Sequence, residues 1–235
     1  MKIRIITSCT GRKRHSPENQ LTQSDFYRLH KPEEFMVLEG SLAEFRTRAE
    51  DLYTGLQHVR LMEGVRRVRE ERGIGSVDLW ILSAGYGLIP ADREIVPYEC
   101  TFQGMKAREI GVWAQHLHVP EDTRQFFMKP ADLVLVLLSD AYLRALALDE
   151  DVTFAAPTLF FTGKASQKRV KGQGTLRTVL LTNREAKCFS CGLVGLKGEV
   201  ARRILHHLIE EGETFRAKLF DLAEHILDTL LGGKC

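Results

Sequence analysis

The sequence predicts an α/β fold with a central, mainly parallel sheet of about five strands and helices on both faces. Three segments are rich in apolar residues along their whole length, as strands buried on both faces are: KIRIITS (2–8), VDLWILSA (77–84) and ADLVLVLLSD (131–140). Segments with helical spacing of apolar residues separate them. At 235 residues, the chain is long enough to bury one large core, and we expect a single domain over 1–235 with the C-terminal helices packed on it.

The remaining elements follow from local pattern, in chain order. The first strand ends at a Cys-Thr-Gly turn and a polar loop, TGRKRHSPENQ (10–20). Helical spacing covers 42–53 and 56–73 with a break at Gly55, and the second strand leads into a second polar loop, SAGYGLIPADREIVPYE (83–99). Beyond it the pattern predicts helices over 104–118, 121–128 and 141–148, strands over 153–163 and 176–183, an exposed basic loop over 163–174, and a helical end over 196–231 broken near Gly212.

Composition excludes several classes of protein. The 33 basic and 31 acidic residues leave a net charge of +2, which is too balanced for a disordered chain and does not by itself indicate nucleic-acid binding. No apolar run approaches the ~18 residues of a membrane span, and the start of the chain lacks the pattern of a signal peptide. We therefore expect a cytoplasmic protein without a membrane partner and with mostly free thiols among Cys9, Cys100, Cys188, Cys191 and Cys235.

Two loops that carry reactive side chains fall at the carboxyl ends of predicted strands. In open α/β sheets ligands bind beyond those ends. The first loop is SCTGRKRHSP (8–17) after strand one, and the second is 83–99 after strand two. A weaker third, SDAY (139–142), follows the strand at 131–140. The sequence thus predicts a site at this edge of the sheet.

The motifs in these loops resemble those of the YaaA-like proteins and their uncharacterised relatives. ILSAGYGLIPADREIVPYECTF (81–102) resembles the family signature, Cys9 and Lys13 match an early Cys and Lys after the first strand, and LYTG (52–55) matches a third element. The pattern departs from the family at Ser8, where relatives often have proline, and at Asp92, which lies one place earlier. The resemblance implies a fold related to the uracil-DNA-glycosylase class and an association with DNA bases and their damage. Some members of this wider group remove modified bases from DNA, and the related archaeosine-synthesis enzymes act on a tRNA base.

In the second loop, Asp92 is our first candidate for a catalytic residue. When a base is cleaved from its sugar, a fixed carboxylate can stabilise the developing cation or orient water. The alternative is that Asp92 only caps a turn. Gly85 and Gly87 would let backbone amides approach a ligand. Substrate contacts are also expected from the two aromatic residues that could stack on a base or instead pack in the core, and from two neighbouring polar residues: Tyr86, Tyr98, Ser83 and Glu99.

In the first loop, Lys13 is the second catalytic candidate, as a phosphate-binding cation or an amine that assists the leaving base. Arg12 and Arg14 are expected to contact nucleic acid, or alternatively to form a solvated charge run. Cys9 and Thr10 are assigned to substrate binding, although Cys9 also suits a small buried position at a strand end.

Two further motifs have ordinary structural explanations beside the functional ones. Lys197 lies in GLKG (195–198), which faintly resembles a helix-hairpin-helix element that binds DNA phosphates. The alternative is that these residues form the glycine-rich start of a core helix. Cys188 and Cys191 have the spacing of half a zinc site, but a structural zinc needs four ligands, and adjacent His206 and His207 point in different directions on a helix.

Taken together, the sequence predicts a DNA glycosylase that flips a modified or damaged base into a pocket between the first two loops and leaves an abasic site. Its chemistry needs no metal and no organic cofactor, and its partner is duplex DNA. Two alternatives stay open: a non-catalytic DNA-binding stress protein, and an enzyme acting on a tRNA base or a free nucleotide.

Overall fold

The computed structural model describes residues 1–221 and 226–232. Its strands are β1 Ile3–Ser8, β2 Leu21–Thr22, β3 Thr47–Arg48, β4 Val77–Ser83, β5 Gly87–Pro90, β6 Glu94–Ile95, β7 Tyr98–Glu99, β8 Leu133–Leu137, β9 Thr153–Thr162 and β10 Gln173–Leu180. Its helices are α1 Gln23–Phe26, α2 Pro32–Gly40, α3 Ala49–Leu52, α4 Leu56–Arg72, α5 Ala107–His116, α6 Val119–Met128, α7 Asp140–Ala145, α8 Asn183–Cys188, α9 Leu193–Glu211, α10 Glu213–Asp221 and α11 Ile226–Leu230.

A six-stranded sheet with the order β10-β9-β8-β1-β4-β5 forms the centre of the molecule. Five of these strands run parallel, and β5 alone is antiparallel to its neighbour β4. β1 lies between β8 and β4, with Thr7 opposite both Leu137 and Ile81. The last residues of these three strands therefore meet at one edge of the sheet, which we call the carboxyl edge. The predicted α/β class with a mainly parallel sheet is confirmed.

Helices cover both faces of this sheet. Side chains three positions apart on a strand point to opposite faces. The Oγ1 atom of Thr7 accepts a 3.1 Å hydrogen bond from Gln57 of α4, whereas Arg4 donates a hydrogen bond to the carbonyl of Phe126 in α6. The helices α4 and α6 thus lie on opposite sides of β1.

The predicted helix over 42–53 is wrong. The segment forms a short 3₁₀ turn, the strand β3 and the single turn α3. β3 pairs with β6, and Ala49 and Glu50 donate backbone hydrogen bonds of 2.9 Å to the carbonyls of Arg93 and Ala91. Because these long-range partners satisfy the backbone, the local helical spacing does not decide the structure.

The second loop is also more ordered than expected, since it contains β5, β6 and β7. The structure adds the helix α8, whose start carries a capping box in which Thr182 and Glu185 bond each other. The expected basic loop over 163–174 contains a 3₁₀ turn at Gln167–Arg169 and the start of β10. Gly212 breaks the C-terminal helices as predicted, with a φ of 59°, while residues 222–225 of that helical prediction lie outside the described residues.

Glycine at position 198 is required by the packing of α9 on α4. A Cβ atom there would lie 2.1 Å from the backbone oxygen of Gln57. We expect Gly198→Ala to lower the free energy of unfolding by ~1–3 kcal/mol or more, because the backbones of α4 and α9 must separate. The midpoint of urea unfolding measures this loss.

Gly111 provides the matched control. It also lies inside a helix, α5, but a Cβ there meets no atom within 4 Å, so Gly111→Ala should raise stability by up to ~1 kcal/mol. Equal effects of the two substitutions would contradict the close approach of α4 and α9.

Candidate functional site

Lys13 is placed at the carboxyl edge by the backbone of the first loop. Cys9 continues β1 and donates from its amide to the carbonyl of Leu82 over 3.0 Å. Further on, Arg14 N bonds Leu52 O at 2.8 Å and Thr54 N bonds Arg12 O at 3.0 Å, so that Lys13 forms an isolated antiparallel bridge with Tyr53. Because side chains alternate along an extended segment, Arg12 and Arg14 are exposed and Lys13 points inward.

Thr10 ties the same loop to the start of α4. Its hydroxyl donates to the carbonyl of Arg12 at 2.7 Å and accepts from the amide of Gly55 at 3.2 Å. A Cβ at Gly55 would lie 2.7 Å from the Thr10 side chain. This contact explains the glycine of the LYTG element, and it gives Thr10 a part in shaping the loop.

The ammonium of Lys13 lies between an aromatic ring and a carboxylate. Its side chain is only 3% exposed, its Nζ is 4.7 Å from the centre of the Tyr98 ring, and the nearest oxygen of Glu99 is 4.0 Å away. Glu99 itself is 62% exposed. Among the described residues Nζ donates no hydrogen bond within normal distance, so its N–H groups are available to an acceptor that enters beside Glu99. We call Cys9, Lys13, Tyr98, Glu99 and Tyr142 the Lys13 site.

Tyr98 is held from below by a buried network of hydroxyls. Ser83 Oγ donates to Tyr98 Oη at 2.7 Å, and Tyr53 Oη lies 2.8 Å from the same atom. Ser83 Oγ also accepts from the amides of Gly85 and Tyr86, at 3.2 and 2.9 Å. Burial raises the pKa of Tyr98 well above its ordinary value of 10, so the hydroxyl stays neutral and the ring keeps a fixed place under Lys13.

Cys9 completes the site on the side of β8. Its thiol, which is buried, lies 3.1 Å from the hydroxyl of Tyr142 on α7, and that hydroxyl lies 3.4 Å from Thr101. Cys100 donates from its thiol to the carbonyl of Ala84 at 3.1 Å. Burial, together with the nearby Cys9, raises the pKa of Cys100 to about 12. Cys100 is therefore a structural thiol, and Cys9 is the sulfur with polar neighbours.

Asp92 is not brought to this site, which corrects the expectation for the second loop. β5 turns back along β4, and the amide of Ala91 bonds the carbonyl of Leu79. Leu79 lies four residues before Ser83, so Asp92 is about 13 Å further down the sheet, at ~3.3 Å per residue. Asp92 is exposed in a turn. The carboxylate that lies beside Lys13 is Glu99.

Tyr86 and its flanking glycines serve packing. The Tyr86 ring is buried against Phe26, with centroids 5.0 Å apart, and its hydroxyl bonds Glu39 at 2.9 Å. A Cβ at Gly85 would lie 2.5 Å from the Phe26 ring, and one at Gly87 would lie 2.7 Å from the carbonyl of Leu117. The expectation that these glycines expose amides to a ligand, and that Tyr86 stacks on a base, is therefore replaced by core packing.

Lys197, Arg202 and Arg203 are engaged within the protein. Lys197 donates from Nζ to the carbonyl of Leu138, just beyond β8. On the face of α4 and α9, Glu199 accepts hydrogen bonds from Arg202 and Arg203 and lies 3.9 Å from Arg60. In the first loop, by contrast, Arg12 and Arg14 have no ion-pair partner among the described side chains.

The cysteine pair of the CFSC motif does not gather a set of metal ligands. In the part of the chain that the structure describes, no three His, Cys, Asp or Glu side chains group as a metal site. His206 and His207 pair with Glu210 and Glu211, one turn further along α9. Cys9, Cys100 and Cys191 are free thiols, and Cys235 lies outside the described residues. Within those residues, no helix has the length and apolar character to cross a membrane.

Sequence reasoning missed Tyr142 as a member of the Lys13 site, and it missed Tyr53 and Thr101, whose hydroxyls lie beside those of Tyr98 and Tyr142. Tyr53 lies in LYTG and Tyr142 in SDAY, so the motifs were visible, but which hydroxyl meets which sulfur depends on how the strands align. β8 lies beside β1 in the sheet, and this adjacency brings Tyr142 to Cys9.

Comparison with known proteins places the chain in a family. No curated protein matches the chain. Residues 41–168 match the family described as "Family of unknown function (DUF6884)". The matched stretch includes β4, Ser83, Tyr98, Glu99 and Tyr142, and Cys9 and Lys13 lie before it. Since it covers more than half of the chain, this protein belongs to the DUF6884 family.

Proposed function

We propose that this protein is a DNA glycosylase, which hydrolyses the N-glycosidic bond of a modified or damaged base and leaves an abasic site. The observation that carries the proposal is the Lys13–Glu99 pair, in which an enclosed ammonium faces an exposed carboxylate across 4.0 Å at the carboxyl edge. The resemblance of the flanking motifs to the YaaA-like proteins supports the same class of chemistry.

The pair supplies the two charges that the reaction needs. As the bond breaks, positive charge develops on the sugar and negative charge on the departing base. Glu99 would stabilise the sugar and accept a proton from the attacking water, whose oxygen bonds C1′. Lys13 would donate a proton to the base nitrogen as the C–N bond breaks. Neither step requires a metal or organic cofactor.

The surroundings of the pair suit a polyanionic substrate. Arg12 and Arg14 flank Lys13, are exposed, and have no ion-pair partner in the described part of the chain. Cations in such positions bind phosphates and position a nucleic acid without reading its sequence. The base itself would enter above Glu99, since the Tyr86 and Tyr98 rings are buried.

Base release tests this proposal. The protein is incubated with duplexes that carry uracil, hydroxymethylated or glucosylated pyrimidines, or deazapurines, and abasic sites are revealed by alkaline cleavage. We expect base release from at least one duplex. Glu99→Gln should lower its rate by ~100-fold or more, because the carboxylate that accepts the proton of the attacking water is removed. Asp92→Asn is the matched control, an exposed carboxylate on the same loop, and should retain activity.

Two results would contradict the proposal. If Asp92→Asn loses base release and Glu99→Gln keeps it, the reaction takes place at the turn that carries Asp92 and away from the carboxyl edge. If no duplex yields abasic sites while duplex DNA still binds, the protein binds DNA without cleaving it, and tRNA or nucleotide substrates become the next assay.

A further inference from the structure

A second lysine reaches the carboxyl edge from the other side of β1. Lys197 lies in the first half of α9. The close packing of α9 on α4 at Gly198 places the Lys197 side chain at the end of β8. There Nζ donates a hydrogen bond to the carbonyl of Leu138. This lysine is half-buried, and among the described residues the bond to a neutral backbone oxygen leaves two of its three N–H groups unused.

The charge around Lys197 differs from that around Lys13. No carboxylate of a described residue lies within 4 Å of its amine. The nearby Asp140 is already engaged, by Arg169 at 2.7 Å and Ser166 at 3.0 Å. Burial lowers the pKa of Lys197 to about 8, and Asp140 offsets only part of this. The lowered pKa increases the share of the amine that is neutral near pH 7, and the neutral amine is the form that attacks a carbonyl.

The register of the sheet places this amine beside the Lys13 site. Thr7 lies opposite Leu137, so Leu138 and Ser139 continue next to Ser8 and Cys9, one strand spacing of ~4.8 Å away. The hydroxyl oxygen of Ser139 is buried and has no hydrogen-bond partner in the described part of the chain. Ser139 directly follows Leu138, whose carbonyl holds the amine, so this unpaired hydroxyl is a donor that the polar intermediate of an addition to a carbonyl would use.

We propose that Lys197 forms an imine with an aldehyde bound at the carboxyl edge. Resting on the proposed function, the aldehyde is C1′ of the ring-opened abasic deoxyribose that base release leaves. Nζ bonds C1′ and the aldehyde oxygen leaves as water. A C2′ proton is then lost to solvent base, and the C3′–O bond breaks with its electron pair on the departing phosphate. Water hydrolyses the imine and frees the lysine, so the strand is nicked without an oxidant or reductant.

Borohydride trapping on a preformed abasic site tests the inference. A duplex with one abasic site, and the same duplex intact, are mixed with the whole protein and sodium borohydride, which reduces an imine to a stable amine. We expect a covalent complex with the abasic duplex only, and peptide mass spectrometry should map the bond to Lys197. The rate of trapping should rise with pH and level off above about 8, following the pKa of Lys197.

Variants separate Lys197 from other lysines. Lys197→Met should lose at least 90% of the complex, while the exposed Lys187→Met, on the neighbouring α8, should keep it. If Lys197→Met does not fold, as seen by circular dichroism, the mapped peptide of the unaltered protein decides. A bond mapped to Lys13 or spread over surface lysines, or no complex at all, overturns the inference. Because the abasic site is supplied, such a failure is distinct from a failure to release bases.

Discussion

Replacing Lys13 by methionine is expected to lower the rate constant of base release by ~10²–10³-fold. The substitution keeps the length of the side chain and its packing on Tyr98, but removes the charge that faces the departing base. Since the ammonium is enclosed and has only Glu99 beside it among the described carboxylates, its loss should not lower stability. Single-turnover kinetics on the duplex that the unaltered protein cleaves measure the effect.

The exposed neighbour of Lys13 provides the control. Arg12→Gln removes a phosphate contact that is the same in the ground state and the transition state, so it should raise KM and leave kcat unchanged. The binding of Arg12→Gln should also depend less steeply on salt. If Lys13→Met changes only KM, as Arg12→Gln does, Lys13 is a phosphate contact and the catalytic role is withdrawn.

The strands could be predicted from the sequence because they are buried on both faces. β8 is apolar throughout, β1 and β4 are mostly apolar, and this composition follows from the helices that cover both faces of the sheet. The segment 42–53 could not, because its structure depends on pairing with residues 91–95, which no local spacing reveals. Local pattern predicted the elements whose environment is uniform along their length, and missed those whose partners are distant in the chain.

The candidate site divides in the same way. Lys13 was identifiable from its place after a strand, but its enclosure depends on Tyr98 and its neighbour Glu99, which arrive from the end of the second loop. Asp92 looked equally well placed in that loop. The chain reverses in β5 and runs back along β4 to its middle, where Asp92 follows, and it then returns to the carboxyl edge at Tyr98. This reversal alone separates Asp92 from Glu99. A sequence motif gives the order of its residues but does not show how the chain turns between them.

The register of the two strands that carry the site is supported, at their other end, by an ion pair whose arginine is buried. Arg4 of β1 is 1% exposed and lies directly opposite Asp78 of β4, with 2.8 Å between its Nε and the carboxylate. Its guanidinium also donates to the carbonyl of Phe126 and covers the ring of that residue at 3.7 Å. Nη2 has no partner among the described residues, so the charge depends on Asp78.

Asp78→Leu is therefore expected to lower the free energy of unfolding by ~3–5 kcal/mol, because it leaves the guanidinium buried without its counter-charge. Arg4→Met combined with Asp78→Leu should recover most of this loss, since an apolar pair of similar volume removes the charge as well. Urea unfolding of the single and double variants measures the coupling. An additive cycle would contradict the pairing. The double variant should keep base release, because Arg4 and Asp78 align β1 with β4 and make no contact at the carboxyl edge.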